Sequence, residues 1–406
     1  MEREYAKLRV TVKAERALRN GHPWVYGEEV TDTVGAYAPG DIVDVYSGKD
    51  RWLGAGFVND HSKIRVRIIS RNANDRFDEA FFRRRIRYAL EYRKTVMGAD
   101  FAACRLIFGE ADQFPGLTVD RFGDILSVEV LSLGIDRRKE LLLRLLAEEL
   151  SSMGQPVRAI YERSDNAVRA KEGLENVTGF VSLPGLETGL DGHVTISENG
   201  ILYDVDYING QKTGFFLDQK YNRLAAAKLA PGKRVLDCFT HTGAFALNAA
   251  KAGAAKVTAV DISADAIAQA RRNAELNGLT GSMEFLQADV FQLLTDAAKG
   301  PALWDYIILD PPAFTKSSAT VDAAYRGYRE INRRAMQLLP RGGYLATCSC
   351  SHFMPAAKFE QMLRDAAGDA NVSLRQIEAR QQAPDHPILW GVPETDYLKF
   401  YLFQVV

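Results

Sequence analysis

The strongest constraint on this chain is the texture of its second half. In "RVLDCFTHTGAFALNAAKAGAAKVTAVDIS" (234–263) a short apolar run gives way to a glycine-bearing loop, an alanine-rich helical stretch and another apolar run. "AIAQARRNAELNG" then reads as a helix, and "MEFLQADVF", "WDYIILDPP" and "GGYLATCSCS" supply further strands. Strands separated by helices are joined by crossovers rather than hairpins. The pattern therefore predicts a parallel sheet with helices on both faces.

In such sheets ligands sit beyond the carboxyl ends of the strands, near the point where the strand order reverses. The first strand ends in "LDCFTHTGAF", which is not the GxGxxG of a dinucleotide site, because Gly243 is its one glycine. Asp261 closes the next strand, 24 residues after Asp237, where a carboxylate accepts from both hydroxyls of a ribose. Asp289 closes the third, level with an adenine amine, and Asp310 opens "DPPAF" after the fourth. Acids at these strand ends favour a nucleoside that carries no phosphate. Any single Asp is more often a helix or turn cap; the ordered set is not. The candidate cofactor contacts are Asp237, Phe239, Thr240, Thr242, Gly243, Asp261, Ile262, Asp289, Val290 and Asp310.

This series resembles the class I S-adenosylmethionine-dependent methyltransferases. The resemblance implies S-adenosylmethionine as cofactor and a Rossmann-like α/β catalytic domain.

A length of 406 residues exceeds one ordinary domain and suggests two or three. Residues 1–70 alternate short apolar strands ("LRVTV", "PGDIVDVYS", "WLGAGFVN", "KIRVRIIS") with turn signals and read as a small β-barrel. Residues 71–190 read as a central α/β domain, with helices over 75–96 and 136–152 and a strand at "AIYERS". The third domain, 191–406, begins with a hairpin turning at Asn199-Gly200. No apolar run is long enough to span a membrane, and "MEREYAKLRV" holds no signal core, so a cytoplasmic protein with no membrane partner is expected. A net charge of −1 argues against global attraction to nucleic acid. Residues 71–95 nonetheless carry eight Lys/Arg against four acids. Such a run is ordinarily a solvated helix face, and becomes a phosphate-facing patch only if something else points to RNA.

Four cysteines, at 104, 238, 348 and 350, make no secreted framework. Cys104 and Cys238 read as buried small apolar residues. Cys348 and Cys350 form a CxC pair without the further ligands that structural zinc needs, so no metal is expected. Carbon chemistry gives a thiol better use. Carbon 5 of a pyrimidine is a poor nucleophile until a thiolate adds to carbon 6. The strand ending in "TCSCS" neighbours the one ending in Asp310, so both groups can meet at one base.

A closer resemblance spans nearly the whole chain. "HPWVYGEEV" and "PGDIVDVYSGKDRWLGAGFVN" resemble a PUA RNA-binding domain. "RLIFGEADQFPGLTVDRFGD", "GQKTGFFLDQKYNR", "DCFTHTGAF", "LDPPAFTKS" and "TCSCSH" resemble the large-subunit methyltransferase I family of 23S rRNA (cytosine-5)-methyltransferases. The resemblance implies a PUA domain, a central α/β domain and a catalytic domain, with large-subunit 23S rRNA as partner and a homodimer admitted. It places Thr213, Phe215 and Phe216 in a lead-in that closes over the cofactor, with Asp218 and Gln219 beside it. Related enzymes carry the nucleophile in "SC", matching Ser349-Cys350, and another branch in "TCS", matching Thr347-Cys348-Ser349. Both registers fit, and Cys350 is the favoured nucleophile, with Asp310 and Cys348 as its catalytic neighbours. Neither composition nor spacing separates cytosine from uracil, and a non-catalytic RNA-binding or assembly factor is the alternative from another class.

Overall fold

The computed structural model describes residues 4–301, 303–315 and 317–406. Its contacts divide the chain into two units. One holds residues 1–196, 205–217 and 384–395; the other holds 197–204, 218–383 and 396–406.

In the first unit, strands Lys7–Val10, Trp24–Tyr26, Val30–Val34, Ile42–Ser47, Trp52–Val58 and Ile64–Ser70 form one six-stranded sheet. "LRVTV" stops early as a strand. The Thr11 hydroxyl accepts from the Ala14 N–H and caps a helix over Val12–Arg19. Leu8, Val10, Val25, Val43, Val45 and Val66 line a small core beneath this helix. A five-stranded sheet follows, in the order Val177–Phe180, Ala159–Ser164, Ile125–Val130, Leu117–Phe122, Ala103–Phe108, with helices Glu79–Met97 and Lys139–Ser152 among its neighbours in sequence. Cys104 is fully buried in it.

Most of the basic run falls on Glu79–Met97, and the arginines of that helix are paired with acids of the same unit. Arg83 pairs with Glu79 at 2.9 Å, Glu148 at 2.6 Å and Glu149 at 3.1 Å, and Arg87 pairs with Glu149 at 3.0 Å. Arg84 pairs with Asp75 at 3.1 Å, while the wholly buried Arg93 pairs with Asp112. Acids distant in sequence thus neutralise a run whose local balance is positive, and the ordinary reading of a helix face applies.

The second unit carries the predicted alternation as a seven-stranded sheet. Its strands are β1 (Arg234–Cys238), β2 (Lys256–Asp261), β3 (Met283–Gln287), β4 (Tyr306–Leu309), β5 (Tyr344–Ser349), β6 (Leu374–Arg380) and β7 (Lys399–Val405). They lie in the order β3-β2-β1-β4-β5-β7-β6. The first five run parallel, and β7 lies antiparallel between β5 and β6. Side chains alternate between the faces. Leu236, Cys238, Ile307, Leu309 and Leu345 enter one core, against helices Val321–Leu338 and Ala356–Asp369. Val235, Tyr306, Ile308, Ala346 and Cys348 enter the other, with the alanine-rich helix Ala244–Lys251. The hairpin His193–Glu198/Ile201–Asp206 turns at Asn199 and Gly200, both at positive φ (55° and 74°), as expected from the Asn-Gly pair.

Since Arg83 and Arg87 are paired internally, replacing both by Gln is expected to leave the salt dependence of RNA binding unchanged. Each lost phosphate contact would make the slope of log K against log salt shallower by about 0.7 on single-stranded RNA. A shallower slope in filter binding over a salt series would return these arginines to the RNA surface.

Candidate functional site

The parallel strands bring their carboxyl ends to one edge. Asp237, one residue before the end of β1, is fully buried. Its Oδ2 accepts from the Thr240 hydroxyl at 2.6 Å and the Ala246 N–H at 3.0 Å. Its Oδ1 has no hydrogen-bond partner among the described residues. Burial, with Asp310 and Asp261 adding like charge, pushes this carboxyl up to about 7.

The loop after β1 is wound by three residues at positive φ: Phe239 (63°), His241 (50°) and Gly243 (81°). A Cβ at Gly243 would stand 3.0 Å from the Ala270 Cβ, so glycine lets the loop lie against helix Ala264–Leu276. Thr240 is buried, and Phe239 and Thr242 are half-buried.

At the end of β2, Asp261 Oδ2 accepts the His241 N–H and Oδ1 accepts the Ser263 N–H, both at 2.9 Å. Each oxygen keeps a second lone pair. Next to it, Ile262 is 67% exposed. After β3, Asp289 caps helix Val290–Ala297 by accepting the Gln292 N–H at 2.9 Å, while the Val290 side chain is spent on the core.

β4 and β5 end side by side. Asp310 Oδ1 accepts from the Cys348 thiol at 2.9 Å and from Gln219 Nε2 at 3.2 Å. The same thiol faces the Leu309 carbonyl at 3.3 Å, and Gln219 Nε2 lies 3.5 Å from its sulfur. Burial raises the Asp310 carboxyl above its ordinary range. Burial, reinforced by Asp310, raises the Cys348 thiol well above its own. Cys350 lies just past the strand and is half-exposed. The alternation that would put both thiols on one side therefore does not make them equivalent. Cys348 is buried and donates to Asp310, whereas Cys350 is partly exposed.

Comparison with known proteins gives the family. A family model described as S-adenosylmethionine-dependent methyltransferase matches residues 175–404, and a PUA-like domain model matches 8–71. The chain is 41% identical to the ribosomal RNA large subunit methyltransferase I of Pseudoalteromonas atlantica, covering 97% of both chains. It is 42% identical to that of Shewanella amazonensis, covering 98% of this chain and 99% of the relative. The chain belongs to the ribosomal RNA large subunit methyltransferase I family. Two solved structures share its fold: a SAM-dependent methyltransferase assignment from Streptococcus mutans (TM-score 0.81, 24% identity, 98% and 100% coverage) and a methyltransferase assignment complexed with SAH (TM-score 0.82, 23% identity, same coverage).

The residues present suit the cofactor of this family. The glycine-dependent loop, the spare lone pairs of Asp261, the exposed Ile262 and the unpartnered Asp237 oxygen offer a polar, phosphate-free cradle for a nucleoside with a cationic substituent. Of the other predicted contacts, Thr213, Phe215 and Phe216 stand in the first unit. There the Thr213 hydroxyl donates to Asp120, which Arg105 also holds at 2.8 Å, and the Lys212 ammonium lies over the Phe216 ring at 4.4 Å.

Two residues beside the end of β5 escape motif reading. Lys399, at the start of β7, opposes Ser349 in the sheet and donates to the Ser351 and Tyr397 carbonyls at 2.6 and 2.7 Å. Burial pushes this ammonium down to about 8, against the opposing pull of Cys350, Asp396 and Cys348. Tyr328, from helix Val321–Leu338, receives the Ser349 hydroxyl at 3.1 Å. Neither lies in a recognisable motif. Only their register, β7 against β5 and helix against strand end, signals them.

The raised Asp237 carboxyl gives a signed pH effect. Its folded value of about 7 lies above the ordinary 3.8, so it contributes stability that is full below pH about 4 and lost as pH rises through about 7. Asparagine does not titrate. The Tm of Asp237→Asn relative to the parent is expected to climb by about 4 °C or more between roughly pH 5 and 8.5, by calorimetry without cofactor. A constant difference would mean that the carboxyl ionises at its ordinary value.

Proposed function

We propose that this protein methylates carbon 5 of a cytosine in large-subunit 23S rRNA, with Cys350 as nucleophile. The division of labour follows the sequence boundaries: a PUA-like RNA-binding segment over 1–70, a central α/β segment over 71–190 and a catalytic segment over 191–406.

The reading rests on family membership and, at the chemical level, on one observation. An acid with a raised carboxyl at the end of β4 is hydrogen-bonded to a thiol at the end of β5, and a second, half-exposed thiol follows two residues later. Methylation of an amino group uses its own lone pair and has no need of a thiol there. Carbon 5 has no such pair. Addition of the Cys350 thiolate to carbon 6 supplies one, as an enamine-like adduct. Asp310, whose carboxyl burial raises above its ordinary range, is suited to hold the ring nitrogen and exocyclic amine of cytosine as charge develops there. S-adenosylmethionine supplies the methyl group as a sulfonium electrophile. Once carbon 5 is methylated, loss of its proton to a base re-forms the ring double bond and expels the thiolate. Cys348 already donates to Asp310, which suits it to orient that acid rather than to attack.

RNA bearing 5-fluorocytosine at the target position tests this, because fluorine cannot leave as a proton. The parent should form a covalent, denaturation-resistant complex. Cys350→Ala should abolish it while retaining cofactor affinity, and Cys348→Ala should still trap. The reverse pattern reassigns the nucleophile to Cys348. Trapping by the double variant removes the thiol mechanism, and trapping only on 5-fluorouracil RNA moves the base specificity to uracil.

At the cofactor end, Asp261→Ala is expected to weaken S-adenosylmethionine binding by about 1–3 kcal/mol through loss of a charged acceptor. Unchanged affinity in titration calorimetry would exclude Asp261 from the ribose site.

A further inference from the structure

Trp390 is 97% exposed, more than any other large apolar side chain among the described residues; the next is Val12 at 81%. The other tryptophans are spent within the protein. Trp24 and Trp52 donate their ring N–H to Glu110 and Asp44 at 3.0 and 2.9 Å, and Trp304 lies in the core.

The exposure is built rather than incidental. Trp390 and Gly391 are the central residues of a tight turn closed by the Val392 N–H donating to the Leu389 carbonyl at 2.7 Å. The buried Thr395 locks this turn. Its hydroxyl accepts the Leu389 N–H at 2.9 Å and donates to the Val392 carbonyl at 2.7 Å. The turn is seated by direct backbone contact, since a Cβ at Gly391 would lie 2.8 Å from the backbone of Gly21. Gly21 sits in the PUA-like segment, between helix Val12–Arg19 and strand Trp24–Tyr26. Arg71 caps the same corner by donating to the Gly21 and His22 carbonyls at 2.7 and 3.2 Å, and Glu394 faces His22 at 3.5 Å.

We infer that Trp390 is a stacking platform for an unpaired base of the RNA substrate, held out beside the PUA-like segment by a rigid turn. The class of nucleic acid rests on the rRNA reading above. A base presents a flat π-face that one indole matches, and a pre-organised ring loses little conformational freedom on binding. A protein partner fits less well. A stable protein interface buries about 800 Å² on each side around an apolar centre, whereas the flanking Ile388 and Leu389 are only partly exposed, leaving a single ring and no patch.

The test uses the full chain and an unmethylated transcript of large-subunit rRNA. Titration with the transcript should quench tryptophan emission, and Trp390→Phe should remove most of that quenching while keeping Kd within a few-fold, because phenylalanine still stacks. Trp390→Ala should raise Kd by about 5- to 150-fold, with the salt slope and S-adenosylmethionine affinity unchanged. The side chain is 97% exposed, so Tm should hold in both variants. Unaltered RNA affinity in Trp390→Ala overturns the inference. So does loss, in that variant, of concentration-dependent self-association in sedimentation with RNA affinity intact, which would make the ring a protein contact. The two proposals fail separately. A parent that traps fluorinated RNA while Trp390→Ala binds normally sinks only the platform. A parent that traps nothing but whose RNA affinity depends on Trp390 sinks only the chemistry.

Discussion

Parallel pairing of β1 to β5 is the constraint on which the rest of the site depends. A parallel pair needs a crossover between its strands, so each strand must begin at one edge of the sheet and end at the other. The acids Asp237, Asp261, Asp289 and Asp310 share an edge for that reason alone. The order β3-β2-β1-β4-β5 adds a second consequence. Successive connections leave β1 and β4 toward opposite sides, opening a crevice between two adjacent strand ends. Asp237 and Asp310 flank it, one on each strand. The antiparallel β7 completes the edge, because running backwards beside β5 returns its first residue, Lys399, to the level of Ser349.

Bringing buried acids together is electrostatically unfavourable, and the local hydrogen bonds show how the fold contains that cost. Asp237 is held by a hydroxyl and a backbone N–H, and Asp310 by an amide and a thiol. Both carboxyls sit above their ordinary range because burial outweighs these bonds. The thiol that donates to Asp310 is itself held protonated by the same burial and the same neighbouring carboxyl. An acid and a thiol bonded in a buried corner stand two residues before a partly exposed cysteine, so two residues of one type meet different surroundings.

Much of this was legible in the residues. The alternation after residue 230 encodes the doubly wound sheet, since apolar runs of strand length between helical stretches have few other ways to bury themselves. The strand-end acids follow, because a motif at a strand terminus keeps its place whatever the strand order. The Asn199-Gly200 hairpin was legible because its backbone conformation is a property of those two residues. Less legible was the basic run. Its local charge balance gave no hint of Glu148 and Glu149, some sixty residues away, which neutralise it.

The sequence by itself determined which chemical groups stand at the sheet edge: four acids, a glycine-dependent loop and two thiols. Only the tertiary structure decided how those groups differ. It buried Cys348 against Asp310 while leaving Cys350 partly exposed, brought Lys399 and Tyr328 to the end of β5, and gathered residues 205–217 and 384–395 into the first unit. It also set Trp390 on a closed turn against Gly21. The physical reason is range. Propensity and periodicity act over a few residues, whereas desolvation, thiol accessibility and charge pairing depend on neighbours that only the folded chain assembles.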